Sequence, residues 1–423
     1  MKVILYEDLR FSRTKEQLVQ IVADTGADLI LRSASRFSKD SLHGIGSVNL
    51  AENIAAIHSK FPNTKIIGNV YWQIIGRGER DDITGQLWTS QQVYDTLTFD
   101  PTKYNLTGIT KCQIQCYDSS CTCIPGGYTD VQFGGSYIPD LSIPDVQLLY
   151  IHQAQKLLEL GCDGIWIDGP FINVGDVARY GGTEATIQYF YDANLYTMEQ
   201  IRKLKTLSGN SPMIATWYSG TGSTKYLQNS PYWHDKFFDF VTISAPFIDE
   251  IITISPKQDY DKIVNDIKVN YGDVPIITYM DWWWNNHPMW YFSQWYPGYT
   301  DQECCNGHYE ERHNHQINVL RYFTKFFKLK GITWAYPIHC PGCSTDTCPG
   351  VTTPDSGTCC AKSFGQYYSY DALAPEHNTY AEIVSLMNPP NKMLILGLLA
   401  TITAGYFLVV NRNYNTIKKM KEV

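Results

Sequence analysis

"SIPDVQLLYIHQAQKLLELGCDGIWIDG", residues 142–169, is the most informative segment for the fold class, because it joins an amphipathic helix directly to a short apolar strand. Its first part has apolar residues every three or four positions and ends at Gly161, where a glycine commonly closes a helix. The run from Gly164 to Ile167 has no polar side chain and is enriched in isoleucine and tryptophan. Such a run is typical of a parallel strand covered by helices on one side and by core on the other.

The same alternation recurs along the whole chain. Eight apolar, β-branched runs predict strands at residues 2–7, 27–34, 65–72, 163–169, 212–219, 238–246, 274–282 and 331–339. Amphipathic segments between them predict helices at residues 14–26, 48–62, 142–161, 197–209, 259–272 and 313–331. Eight strands alternating with helices predict an α/β fold, a (β/α)8 TIM barrel. An open doubly wound sheet is the alternative, but no glycine-rich GxGxxG motif follows the first strand.

One domain, residues 1–390, accounts for this pattern. Residues 73–141 form a cysteine-containing insertion after the third strand, and residues 340–372 form a Cys-rich loop after the eighth. Both are rich in turn residues, so we expect extensions of the barrel domain rather than separate domains. A short helix near residues 376–387 is expected to close the domain.

Composition and charge exclude a nucleic-acid partner. The 423 residues carry a formal net charge of -8 and give a pI near 5.7. A nucleic-acid groove needs a basic footprint, and no long Lys/Arg run precedes the extreme C-terminus.

Residues 393–410, "MLILGLLATITAGYFLVV", are eighteen uncharged positions, long enough to cross most of the apolar layer of a bilayer. We predict a single-pass transmembrane helix here, in contact with lipid, since a buried helix of the globular domain should carry a polar face. The basic tail, residues 411–423, is then expected in the cytoplasm, and the large domain outside, in a lumen or on a virion surface. The N-terminus has no signal-peptide pattern, so the route of export stays open.

Eleven of the twelve cysteines fall in loop clusters, which favours disulfide bonds formed in an oxidising compartment. Structural zinc is the alternative, because Cys340 and Cys343 form a CxxC motif and three histidines lie nearby in sequence, His308, His313 and His315. The irregular spacing of the other cysteines favours disulfides. We expect no cofactor and no metal.

The candidate catalytic residues lie where predicted strands end, since the carboxyl ends of barrel strands carry the active site in this fold. Glu7, Asp168 and Asp281 follow the first, fourth and seventh strands, with Asp8 beside Glu7. Strand alternation puts Asp168 on the same side as Trp166. Hydrolysis of a glycosidic bond needs two carboxyl groups, and Asp168 with Asp281 is the preferred pair, with Glu7 or Asp8 as the alternative second acid.

Aromatic residues are concentrated at the end of the seventh strand, in "YMDWWWNNHPMWYFSQWYPGY", residues 279–299. Flat indole faces offer contact area to sugar rings, so this loop predicts a carbohydrate-binding mouth; packing of the rings into a minor core is the alternative. Nine strand-end and loop residues are candidates for substrate binding: Arg32, Trp72, Trp217, Tyr218, Trp282, Trp283, Trp284, Tyr336 and His339.

The segment "LLELGCDGIWIDGPF", residues 157–171, resembles the fourth-strand region of TIM-barrel glycoside hydrolases, where an apolar strand ends in a catalytic aspartate. The resemblance covers about residues 1–340 and implies hydrolysis of a glycosidic bond, with Asp168 matching the strand-end carboxylate. The best-known clan has Asn-Glu and Glu at the fourth and seventh strands, whereas this chain has Ile-Asp and Met-Asp.

Three functions remain open from the sequence. The first is a membrane-anchored glycoside hydrolase that acts on a glycan by a two-carboxylate mechanism. The second is a catalytically inert barrel that binds glycans or builds a cell or virion surface. The third is a metal-dependent barrel hydrolase that uses His308, His313, His315 or His339, but the first strand lacks the His-Xaa-His motif of such enzymes.

Overall fold

The computed structural model describes residues 4–6, 9, 13–33, 35–36, 45–72, 75–76, 89–115, 136–218, 224–244, 259–279, 309–340, 370–373 and 378–388. The strands are β1 (Ile4–Tyr6), β2 (Leu29–Leu31), β3 (Ser35–Arg36), β4 (Lys65–Tyr71), β5 (Ile75–Gly76), β6 (Ser136–Tyr137), β7 (Gly164–Asp168), β8 (Met213–Trp217), β9 (Phe240–Ser244), β10 (Ile276–Tyr279), β11 (Thr333–Pro337), β12 (His339–Cys340) and β13 (Tyr370–Asp371).

Eight of these strands form a closed parallel barrel in the order β1, β2, β4, β7, β8, β9, β10 and β11. Closure comes from two pairings, of β1 with β11 and of β2 with β4. Each barrel strand falls within one of the eight predicted runs, so the predicted (β/α)8 barrel is confirmed. The short β3 adds to the edge of β4 outside the ring.

The helices are α1 (Lys15–Thr25), α2 (Ile45–Lys60), α3 (Ser90–Leu97), α4 (Lys111–Gln115), α5 (Pro144–Glu159), α6 (Ile172–Arg179), α7 (Glu184–Lys203), α8 (Thr224–Asn229), α9 (Tyr260–Tyr271), α10 (Tyr309–Leu329) and α11 (Tyr380–Met387), with a 3-10 helix at Pro101–Tyr104. All six predicted helices are present, and α11 matches the expected closing helix.

Helix α7 differs most from its prediction, because it begins thirteen residues before the predicted start at Thr197. Its first half contains β-branched and aromatic residues, which have modest helix propensity. Burial outweighs that propensity, since Ile187, Phe190 and Tyr191 lie in the core. Thr183 caps the true start by accepting a hydrogen bond from the Thr186 N–H.

Two glycines, Gly164 and Gly169, are required by the backbone at the two ends of β7. A Cβ at Gly164 would lie 2.6 Å from the Met213 Cβ and 2.7 Å from its carbonyl oxygen, so only glycine lets β8 approach this closely. Gly169 has a φ of 65°, a left-handed conformation that turns the chain away immediately after Asp168.

Asp163, just before β7, connects that strand to β4 and α2 at the amino-terminal end of the barrel. Its carboxylate accepts hydrogen bonds from the Ile66 N–H at 3.0 Å and Lys65 Nζ at 3.1 Å, and lies 3.0 Å from His58 Nε2. Burial alone would raise the pKa of Asp163, but these contacts hold that pKa below its usual value. The two aspartates that flank β7 therefore sit at opposite ends of the barrel, and Asp163 is placed to stabilise the fold.

The described parts of the insertion pack onto the barrel core rather than standing apart from it. Phe99 stacks on Tyr104 and meets the edge of Phe190 on α7, and Gln115 is buried with its amide bonded to the Phe99 and Ile138 carbonyls. Cys112 is disulfide-bonded, whereas Cys162, in the core, is a free thiol. Most other cysteines of the clusters lie outside the described residues.

No helix within the described ranges is both long and apolar enough to cross a membrane. The predicted transmembrane segment, residues 393–410, and the tail, residues 411–423, lie outside those ranges. The same ranges contain no group of three or more His, Cys, Asp or Glu side chains arranged to hold a metal ion.

Candidate active site

The strand register shows which side chains face the barrel lumen. Asn69 is the Cα partner of Trp166, and Tyr71 is the Cα partner of Asp168. Because the side chains of Cα partners on parallel strands point to the same side of the sheet, each pair shares a face. The rings of Trp166 on β7 and Tyr279 on β10 are 5.1 Å apart, although β8 and β9 separate their strands in the sheet. Two rings so placed meet only across the lumen, and both residues therefore point inward.

Asp168 faces the lumen at its carboxyl end. It follows Trp166 by two residues on the same strand, and alternation puts both side chains on the inner side. Only 8% of Asp168 is exposed, and its backbone carbonyl accepts a hydrogen bond from the Trp72 N–H at 3.0 Å. Asp168 thus lies at the last position of β7 on the lumen side, with the Trp166 and Tyr279 rings beneath it.

Arg32 brings a positive charge to the same region. It directly follows β2 with a φ of 58°, and this left-handed turn leaves the residue only 1% exposed. Its guanidinium carbon lies 5.3 Å from the centre of the Tyr71 ring and 5.8 Å from that of Trp166. Both distances are within cation–π range, and the contact with Trp166 places the guanidinium in the lumen.

Trp217 also belongs to the lumen side. Ala215 is the Cα partner of Trp166, and Trp217 follows Ala215 by two residues on β8. Trp217 is half-buried and ends its strand at the carboxyl face. The structure thus brings together three predicted site residues, Asp168, Arg32 and Trp217, and adds Tyr71, Trp166 and Tyr279.

Three other predicted substrate-binding residues face the surrounding helices instead. The Trp72 ring packs 5.6 Å from that of Tyr150 on α5. The Tyr218 hydroxyl donates to Asp266 on α9 at 3.4 Å, and the Tyr336 hydroxyl lies 3.0 Å from Thr324 Oγ1 on α10. Each lies on the opposite side of its strand from the lumen residues, because successive side chains alternate. We therefore leave Trp72, Tyr218 and Tyr336 out of the proposed site.

The remaining predicted site residues, except for His339, lie outside the described residues. These residues are Glu7, Asp281, Trp282, Trp283 and Trp284. His339 lies in β12, whose backbone pairs with β13 rather than with a barrel strand.

Asp176 is a carboxyl group that the sequence did not single out. It lies on α6, the short helix that follows β7 at the carboxyl end of the barrel. Burial raises the pKa of Asp176 to about 6, although Arg179 on the next turn opposes the shift. A carboxyl with that pKa is partly protonated near neutrality, as a proton donor must be. The sequence prediction considered residues at strand ends, and Asp176 was missed because it lies on an extra helix between β7 and α7.

No protein-family model and no curated protein match this chain. Among solved structures it is similar to the glycoside hydrolase domain of PelA from Pseudomonas aeruginosa, at 9% identity and a TM-score of 0.41, over 79% of this chain and 94% of that one. It is also similar to Bacillus licheniformis trehalose-6-phosphate hydrolase, at 12% identity and a TM-score of 0.41, over 79% and 64%. A third is the α-galactosidase of Thermus thermophilus, at 9% identity and a TM-score of 0.38, over 79% and 58%. The fold assignment rests on the closed strand order, and the structures similar to this (β/α)8 barrel include glycoside hydrolases.

Proposed function

We propose that this protein is a glycoside hydrolase whose active site is the carboxyl mouth of the barrel. The observation that carries the proposal is the position of Asp168, a nearly buried carboxylate at the end of β7 that faces the lumen above an aromatic floor. Glycosidic bonds are hydrolysed between two carboxyl groups in a site of this kind.

In the proposed reaction Asp168 acts as the carboxylate, either attacking the anomeric carbon or taking a proton from the attacking water. A second carboxyl group donates a proton to the leaving glycosidic oxygen. From the sequence, Asp281 is the expected second carboxyl group, with Glu7 or Asp8 as the alternative. Asp176, on the helix that directly follows β7, is a further candidate, because burial raises its pKa. The separation of the two carboxyl groups decides whether the configuration at the anomeric carbon is retained or inverted.

The aromatic residues of the lumen are proposed to hold the sugar over Asp168. Trp217 is half-buried at the carboxyl end of β8 and offers a face on which a sugar ring can stack. Trp166 and Tyr279 are fully buried and in contact below Trp217, so they are proposed to form the apolar underside of the site.

The test compares the wild-type protein with Asp168→Asn on a broad panel of aryl glycosides and glycan oligomers. We expect wild-type turnover of at least one substrate and a loss of about three orders of magnitude or more in kcat for Asp168→Asn, with sugar binding retained. Glu52→Gln is the matched control, because Glu52 forms only an exposed ion pair with Lys15. Binding without turnover in the wild-type protein would point to the inert glycan-binding barrel instead.

We also propose that residues 393–410 anchor the protein in a membrane, with the barrel on the side away from the cytoplasm. The support is the uncharged length of this segment and the basic residues that follow it. Expression with and without residues 393–423, followed by membrane fractionation, tests this: release of the shortened chain supports the anchor, and unchanged fractionation contradicts it.

A further inference from the structure

Helix α11, Tyr380–Met387, packs on the outside of the barrel against α1 and α10. The chain enters this helix at the carboxyl end of the barrel. The Thr379 N–H donates to the Ala372 carbonyl at 3.0 Å, and the Ala372 N–H donates to the Ile338 carbonyl at 2.9 Å. Ile338 directly follows β11, so these two bonds fix the start of α11 beside the end at which the barrel strands finish.

The chain leaves α11 at the opposite end of the barrel. Asn388, immediately after the helix, donates from Nδ2 to the Asp24 carbonyl at 2.7 Å, and the Tyr380 hydroxyl donates to the Asp24 carboxylate at 2.9 Å. Asp24 lies in the last turn of α1, just before β2 begins. Asn388 therefore sits at the amino-terminal face, the end of the barrel at which the strands begin, whereas Asp168 lies at the other end.

The distance from Asn388 to the proposed membrane anchor, residues 393–410, is short. Only residues 389–392 lie between them, and five extended residues span at most about 18 Å. Helix α5 runs from the carboxyl end of the barrel to the amino-terminal face, and its 16 residues give a length of about 24 Å at ~1.5 Å per residue. The connection is therefore too short to bring residue 393 up to the mouth.

The amino-terminal face also carries two exposed leucines. Leu207, in the loop between α7 and β8, is 73% exposed, and Leu329, the last residue of α10 before β11, is 76% exposed. They are the most exposed large apolar side chains among the described residues. Lys205 and Lys328 are exposed next to them, and a lysine stem can lie along an apolar surface while its ammonium group stays in the polar layer.

This chemistry fits a lipid surface. Apolar side chains flanked by lysines suit the boundary between the headgroups and the acyl chains of a bilayer. Asp235 and Asp273 are exposed on the same face, before β9 and β10, so its charge is mixed and the contact does not depend on anionic lipids. A weak contact is sufficient, because a nearby anchor holds the face at the membrane at a high effective concentration.

We propose that the amino-terminal face, through Leu207 and Leu329, rests on the lipid bilayer, and that the mouth with Asp168 points away from it. This proposal rests on the proposed anchor, residues 393–410, and is independent of whether Asp168 takes part in hydrolysis. In this orientation the mouth meets glycans that are free in the medium or carried by a facing surface. Sugars attached to lipids of the same bilayer lie on the wrong side of the barrel.

The experiment measures energy transfer from a fluorescent amino acid in the full-length protein to acceptor-labelled headgroups of phosphatidylcholine vesicles. The fluorophore replaces either Asn63, exposed between α2 and β4 on the amino-terminal face, or Ala185, exposed in the first turn of α7 at the carboxyl end. Since about 24 Å separates the two ends of the barrel, we expect transfer from position 63 to be about threefold or more higher than from position 185.

A double variant, Leu207→Ser with Leu329→Ser, tests the apolar contact. It should fold normally, because both side chains are exposed. We expect it to lower the transfer from position 63 by about twofold or more, while the chain stays bound to the vesicles through the anchor. Leu148→Ser is the matched control, because Leu148 is 52% exposed on α5, at the side of the barrel, and its loss should leave the transfer unchanged.

Equal transfer from positions 63 and 185, or higher transfer from position 185, overturns the orientation and leaves the anchor intact. Unchanged transfer in the double leucine variant overturns the lipid contact of this face. A dimer in detergent that the double variant abolishes would assign the leucines to a second copy of the chain and overturn the same contact. Failure of the wild-type chain to associate with vesicles overturns the anchor and the orientation together.

Discussion

Replacing Asp163 by asparagine should weaken the fold and leave the chemistry unaffected, whereas the same replacement at Asp168 should do the reverse. Asp163 contacts the Ile66 N–H, His58 and Lys65 at 3.0, 3.0 and 3.1 Å, and its side chain is only 14% exposed. The side-chain oxygen of asparagine can still accept a hydrogen bond from the Ile66 N–H. Its NH2 group then faces His58 or Lys65 and cannot replace the carboxylate oxygen as an acceptor.

The magnitude follows from these contacts. A hydrogen bond to a charged group contributes about 1.5–3 kcal/mol. The Lys65 contact counts for less, about 0–1 kcal/mol, because the Lys65 side chain is 42% exposed. We therefore expect Asp163→Asn to lower the free energy of unfolding by about 2–3 kcal/mol at neutral pH.

The pH dependence gives a second signature. Because the pKa of Asp163 is lowered in the folded protein, its stabilisation is present above the usual value of 3.8 and is lost as the pH falls through the folded-state pKa. The wild-type and Asp163→Asn proteins should therefore converge in stability at low pH.

Urea unfolding followed by tryptophan fluorescence measures the difference, with Asp261→Asn as control because Asp261 is 75% exposed in its pair with Lys330. Turnover per folded molecule should stay within about twofold of wild type. Unchanged stability in Asp163→Asn, or a large loss of kcat at full stability, would refute the assignment of Asp163 to the fold.

Three further predictions follow from particular contacts. Gly164→Ala should lower the free energy of unfolding by about 2–3 kcal/mol in urea titrations, because the added methyl group collides with Met213. A smaller effect would show that β8 moves away to make room for the methyl group. If Asp176 donates the proton, wild-type activity should fall as the pH rises through about 6, and Asp176→Asn should lack that limb in a pH–rate profile. Burial raises the pKa of Asp140, which accepts hydrogen bonds from Tyr104 and Ser142 at 2.7 Å, so its contribution to stability is greatest below 3.8 and is lost as the pH rises through the folded-state pKa. Asp140→Asn should flatten that part of the stability–pH curve, and an unaltered curve would count against this cause.

The barrel and the strand-end position of Asp168 could be predicted from local sequence patterns. Both depend on local patterns: apolar runs of strand length between amphipathic helices, and a period of two that puts Asp168 on the same side as Trp166. Which side of each strand faces the lumen is set by closure of the barrel and could not be predicted from these patterns. Trp72 and Tyr218 directly follow their strands and Tyr336 is the last but one residue of β11, but each is offset by one position from the lumen side and faces a helix.

Only tertiary structure could bring Arg32 against Tyr71 and Trp166, because their contact joins three separate strands at the barrel end. The same holds for Asp176, whose raised pKa comes from burial and not from any motif. Periodicity depends on neighbours in the chain, whereas desolvation and ring contacts depend on residues far apart in sequence, and these are set only when the barrel closes.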